Sequence, residues 1–133
     1  MIRNYENPEN TISLVDSTSV TVPVKVFTSS TTGGPISGGV TGRTNAVTTI
    51  ALCNTAAAST ADETTNAVTV NIYIVRSGKS YGNGNMIVSG LTVPAGETVF
   101  FSEERMVLDS GDEIWVGTSS ASKLSVTVSA LAV

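Results

Sequence analysis

From Val68 to Val75 every second residue is aliphatic, so that Val68, Val70, Ile72 and Ile74 fall on one side of an extended chain and Thr69, Asn71 and Tyr73 on the other. A period of two fits a strand with one face in a core, and it is incompatible with the 3.6-residue repeat of an amphipathic helix. The same alternation returns in residues 123–131, where Leu124, Val126, Val128 and Ala130 oppose Ser125, Thr127 and Ser129. In Glu113–Thr118, Ile114 and Val116 oppose Trp115. Residues 19–27 set Val20, Val22, Val24 and Val26 against Thr21, Pro23 and Lys25. Pro23 has no N–H to give a ladder, which assigns that strand to a sheet edge. Shorter strands are predicted at 47–53, 86–89 and 98–102.

Between these runs stand turn residues. Ser77-Gly78-Lys79-Ser80, Tyr81-Gly82-Asn83-Gly84-Asn85, Pro94-Ala95-Gly96-Glu97 and Asp109-Ser110-Gly111-Asp112 combine Gly, Pro, Asn and Asp as tight turns require. Residues 55–66 are rich in Ala, Ser and Thr, too small and polar for a core helix. The fold class expected is therefore all-β, an antiparallel β-sandwich or jelly roll of about eight short strands with an extended N-terminal arm. At 133 residues the chain fits one domain. Residues 1–10 read as the arm and 28–45 as a loop holding five glycines and one proline, with the sandwich core in 46–133.

Composition narrows the function. Only 14% of the residues are charged, against roughly 25% in ordinary soluble domains, so Ser, Thr, Asn and Gly must cover most of the exterior. Such a surface suits permanent assembly. There is no histidine to activate a serine or threonine, which argues against nucleophilic catalysis and against an enzyme. The net charge of −4 and scattered basic residues disfavour a nucleic-acid partner. No apolar run reaches the roughly 18 residues of a membrane span, and neither anchor nor secretion signal is expected. Cys53 is the single cysteine, so no internal disulfide can form, and the thiol is expected as a small buried apolar group in a protein made in a reducing cytoplasm.

The remaining polar clusters each have a plain structural reading. Asp109, Asp112 and Glu113 could offer oxygen to Ca²⁺, but such residues more often cap turns through backbone N–H groups, and no metal or other cofactor is expected. Glu103 and Glu104 are adjacent, so on a strand they point to opposite faces and cannot flank a sugar, and Arg105 beside them suggests a solvated ion pair. Gly78-Lys79-Ser80 echoes the end of a phosphate-binding loop, yet Tyr73 stands where the leading glycine belongs and no helix pattern follows. Tyr73 and Trp115 are the side chains best able to serve either as core or as a contact or sugar-stacking platform. An aromatic content of 5% is low for a carbohydrate-binding module.

Four segments together carry a resemblance: Ile50-Ala51-Leu52-Cys53-Asn54-Thr55, Val70-Asn71-Ile72-Tyr73-Ile74-Val75, Leu91-Thr92-Val93-Pro94-Ala95-Gly96-Glu97-Thr98 and Leu108-Asp109-Ser110-Gly111-Asp112-Glu113-Ile114-Trp115-Val116. Over residues 46–133 the chain resembles small β-sandwich virion proteins of tailed bacteriophages, most of all capsid decoration (cement) proteins. Fibre and adaptor domains share the pattern. The resemblance implies a virion location on the capsid surface, the major capsid protein as partner, a homotrimer, and no small-molecule substrate. Tail, neck or fibre placement and a receptor- or glycan-binding module are the alternatives. The candidate contact residues are Ile2, Tyr5 and Pro8 in the arm, Pro35 and Ile36 in the glycine-rich loop, and Tyr73 and Trp115 on the strands, since segments that order on docking can wrap a partner.

Overall fold

The computed structural model describes residues 9–29, 44–58, 65–102 and 106–132. Among them are nine strands: β1 (Glu9–Leu14), β2 (Val24–Thr28), β3 (Asn45–Asn54), β4 (Val68–Val75), β5 (Met86–Val93), β6 (Thr98–Phe101), β7 (Met106–Leu108), β8 (Glu113–Thr118) and β9 (Leu124–Ala132), with one turn of 3-10 helix at Asn83–Asn85. All pairings are antiparallel and nested: β4 with β5, β3 with β6 and β7, β2 with β8, and β1 with β9. Laid flat, this is one long hairpin. It is rolled so that β9 also pairs with β3 and β8 with β4, which closes two sheets. The first sheet runs β1-β9-β3-β6 with β7 beside β6 on β3, and the second runs β2-β8-β4-β5. That nesting is the connectivity of a jelly roll.

The core lies between the sheets and is filled by the alternation seen in the sequence. Val47, Ile50, Leu52, Leu124, Val126 and Val128 come from the first sheet, and Val68, Val70, Ile72, Ile114 and Val116 face them from the second. Each such side chain contributes about 1.5–3 kcal/mol when fully buried. A one-residue slip of β9 would exchange Leu124, Val126 and Val128 for Ser125, Thr127 and Ser129, so its register is strongly specified.

Several boundaries depart from the sequence expectation. β2 begins only at Val24. Residues 19–22 form a turn in which Val22 N–H donates to Ser19 O at 3.0 Å, and Ser17 Oγ reaches the carbonyls of Ser19 and Val22, both at 2.8 Å. Val20 and Val22 alternate by accident of composition, and the serine-rich turn wins. β2 does lie at a sheet edge, with Pro23 immediately before it. Its alternation is broken by a bulge between Lys25 and Phe27, so that Val26 and Phe27 are both buried. Glu9 and Asn10, assigned to the arm, already pair with Ala130 and Ser129 in β1. β5 does not stop at Ser89 but continues through Gly90, whose φ of +69° places it in the left-handed region glycine tolerates. Cys53 is not buried but partly exposed on the outer side of β3, because Leu52 and Asn54 on either side of it face inward.

Candidate functional site

The two outer faces of the sandwich are built differently. On the second sheet the ladders align Lys25, Trp115, Tyr73 and Met86 in one row across β2, β8, β4 and β5. Below this row the segment joining β1 to β2 crosses the sheet and rests on Gly117. A Cβ at that position would stand 2.3 Å from the Val20 carbonyl oxygen, so only glycine admits so close an approach. That carbonyl accepts the Tyr73 hydroxyl at 2.9 Å and Asn71 Nδ2 at 3.4 Å. Asn71 Oδ1 in turn accepts the Gly90 N–H at 2.7 Å, which holds the irregular part of β5 to β4. Tyr73 is consequently 2% exposed, and its hydroxyl is satisfied within the protomer.

Above the row, Tyr81 from the β4–β5 connection folds back over both aromatics. Its ring centroid lies 5.9 Å from that of Tyr73 and 5.4 Å from that of Trp115, tilted in both cases. Tyr81 is 40% exposed. Trp115 is half-buried and donates its indole N–H to Glu113 Oε1 at 3.3 Å, while Lys25 Nζ lies 3.1 Å from Glu113 Oε2. An ion pair this open to solvent contributes little to stability. It does place a carboxylate and an ammonium at the edge of an aromatic patch.

The outer face of the first sheet carries none of this. β3, β6, β7 and β9 contain no Asp, Glu, Lys or Arg at all. Their outward side chains are small or neutral: Ala46, Thr48, Ala51 and Cys53 on β3, and Ser125, Thr127, Ser129 and Leu131 on β9. Phe100 of β6 and Val107 of β7 project from the same face with 65% and 64% exposure, and Leu14 at the β1 edge is 55% exposed. The register lines Phe100 up with Ala51 and Thr127, and Val107 with Ala46 and Leu131. No chain segment among the described residues is hydrogen-bonded across this face in the way residues 17–22 are across the other.

The acidic turn is structural. Asp112, 4% exposed, accepts the backbone N–H groups of Ser77 at 3.0 Å and Asp109 at 3.1 Å. Arg76 Nη1 stands 3.6 Å from Asp109 and 3.9 Å from Asp112. Asn54 plays the matching part at the other end of β3, donating to Asn66 O and Val93 O and accepting the Ala56 N–H. The Gly96 N–H returns to its carbonyl. The Asn-Thr strand end and the Pro-Ala-Gly turn thus meet in space. A cleft of about 380 Å³ opens where β5 approaches β6 and β7, lined by Ile50, Ile72, Ile87, Val88, Phe101 and Met106. Its lining side chains among the described residues are all apolar.

Of the sequence-predicted contact residues, Trp115 is partly accessible and Tyr73 is enclosed. Ile2, Tyr5, Pro8, Pro35 and Ile36 lie outside the described residues, as do Glu103, Glu104 and Arg105. Sequence reasoning missed Phe100, Val107, Leu14 and Tyr81. A signal for Phe100 was present: in the strand Thr98-Val99-Phe100-Phe101 two consecutive rings must point to opposite faces, so one of them cannot enter the core. Compared with known proteins, the chain matches no family model and no curated sequence.

Proposed function

We propose that this chain is a non-enzymatic structural protein of a virion, a decoration (cement) protein that binds the outer shell of a tailed phage and strengthens contacts between major capsid subunits. The observation that carries an assembly role is the outer face built by β3, β6, β7 and β9, strands without a charged residue, with Phe100 and Val107 held in water on an isolated protomer and Leu14 exposed at the β1 edge. Exposed apolar side chains on a face without charge mark an interaction site, and the two most exposed large ones among the described residues, Phe100 and Val107, stand on these strands. The virion setting is supported by the turn motifs of residues 46–133 and by the jelly-roll connectivity, an architecture common among capsid proteins. Lectin domains and cupins share that architecture, so the surface weighs more than the fold. The absence of histidine and the engagement of Asp112 and Glu113 in internal contacts favour a protein that acts by contact.

Counting copies of the chain in purified particles by quantitative mass spectrometry tests the reading. Hundreds of copies per particle are expected. A few to a few dozen would move it to the tail, neck or fibre, and none would remove the virion assignment.

One observation favours a second reading, a receptor- or glycan-binding module. Tyr81 and Trp115 present ring surface beside the Glu113 carboxylate and the Lys25 ammonium, which together could stack on a pyranose and bind its hydroxyls. Quenching or enhancement of Trp115 fluorescence by a glycan, lost in Tyr81→Ala, would support that alternative. A glycan array without hits would dismiss it.

A further inference from the structure

We infer that the outer face of the first sheet is where two copies of this chain meet, sheet against sheet, with Phe100, Val107 and Leu131 enclosed and Cys53 inside the contact. The inference rests on the assembly role proposed above and names the partner of that face. Charge is the first reason. A chain of net charge −4 is repelled by its own copy, and that repulsion is least where β3, β6, β7 and β9 present no ionised group to one another. A different protein would ordinarily be selected by complementary charge along the rim of its contact, and β3, β6, β7 and β9 supply no charged residue for such steering.

Area and shape are the second reason. β3 and β9 are 10 and 9 residues long, or about 30 Å at the usual rise, and the sheet is four strands wide because β6 and β7 share one edge of β3, so at about 4.8 Å per strand it spans about 14 Å and gives a flat footprint on the order of 400 Å². Enlarged by the projecting side chains Phe100, Val107 and Leu14, that footprint falls in the range of a weak, concentration-dependent contact, which buries less than about 1,200 Å² over both partners. Ala46, Ala51, Ser125, Thr127 and Ser129 are small enough to let facing sheets approach to the ordinary packing distance of about 10 Å. A face that meets its own copy is isologous and builds a dimer, in place of the trimer that the resemblance implies.

Light scattering on the full chain over a range of concentrations, with the rate of Cys53 labelling by a maleimide followed in the same samples, tests this. The expected result is a dimer mass, with Cys53 labelling slowed about tenfold or more as the dimer forms. Ala51→Lys and Thr127→Lys should each give a monomer with rapid labelling that still unfolds cooperatively, at a Tm that no longer depends on protein concentration. A monomeric or trimeric wild-type protein, or a dimer that persists in both variants with Cys53 freely reactive, overturns the inference. If one variant fails to fold, the other and the wild-type labelling rate decide. Particle binding measured in parallel separates this idea from the one beneath it. A wild-type monomer that still binds shells in high copy leaves the decoration role standing and removes the dimer, whereas a dimer that binds no particle does the reverse.

Discussion

On the second sheet the chain covers its own outer surface: residues 17–22 lie across Gly117, and Tyr73 and Asn71 fasten the Val20 carbonyl in place. On the first sheet no segment among the described residues crosses the equivalent surface, and Phe100 and Val107 project from strands that hold no charge. Both faces derive from the same alternation, in which every inward aliphatic residue forces its neighbour outward. They differ in what those outward residues are. Asn71 and Tyr73 carry groups that need partners and find them within the protomer, whereas Ala, Ser and Thr make few demands and leave the face flat. Substitutions on the covered face should therefore act on stability, and substitutions on the open face on association.

The largest effect is expected from Gly117→Ala. Its methyl group would displace the crossing segment and unseat the bonds to Val20 O, for a loss of about 2–4 kcal/mol from overpacking and unmet hydrogen bonds together. A urea midpoint within experimental error of wild type would show that residues 17–22 do not lie where the structure puts them. Asn71→Ala comes next, at about 1–3 kcal/mol, because the bonds of Asn71 to the Gly90 N–H and to the Val20 carbonyl are both lost. Amide exchange should show Gly90 opening ahead of the rest of β5. Tyr73→Phe removes one neutral hydrogen bond and should lower stability by about 0.5–1.5 kcal/mol, measurable as a fall in Tm with no change in oligomeric mass. Phe100→Ser on the open face should change the stability of the protomer by no more than about 0.5 kcal/mol. Yet it should weaken self-association seen by sedimentation, and an equal effect of both tyrosine and phenylalanine variants on mass would erase the contrast between the faces.

Much of the fold was legible because burial follows a period of two. β4 and β8 run over the residues expected of them, and β9 differs by one residue at each end. Elements that depend on backbone pairing more than on pattern were not legible. β1, with the sequence Glu-Asn-Thr-Ile-Ser-Leu, has little alternation and is held by its ladder to β9. β7 is three residues long and exists because β3 extends past the end of β6. Residues 19–22 were misread because Val20 and Val22 mimic a strand, while Ser17 and Ser19 close the turn through bonds that no periodicity records.

The candidate site was less legible still. Trp115 and Tyr73 were both recognisable as outward-phase aromatics on neighbouring strands, and they are cross-strand partners. That Tyr73 would be enclosed depended on a segment more than fifty residues away in the chain. Cys53 was assigned to the core on residue type alone, and the phase of β3 overrides that preference.

The order of residues by itself determined the all-β class, the inward rows and the shortage of charge, since each is a local property of composition and spacing. Which outward row stays bare and which is roofed by its own chain was decided only by the tertiary structure. The nested pairing carries the β1–β2 connection over the second sheet, where Gly117 leaves room for it, and among the described residues no segment is carried over the first.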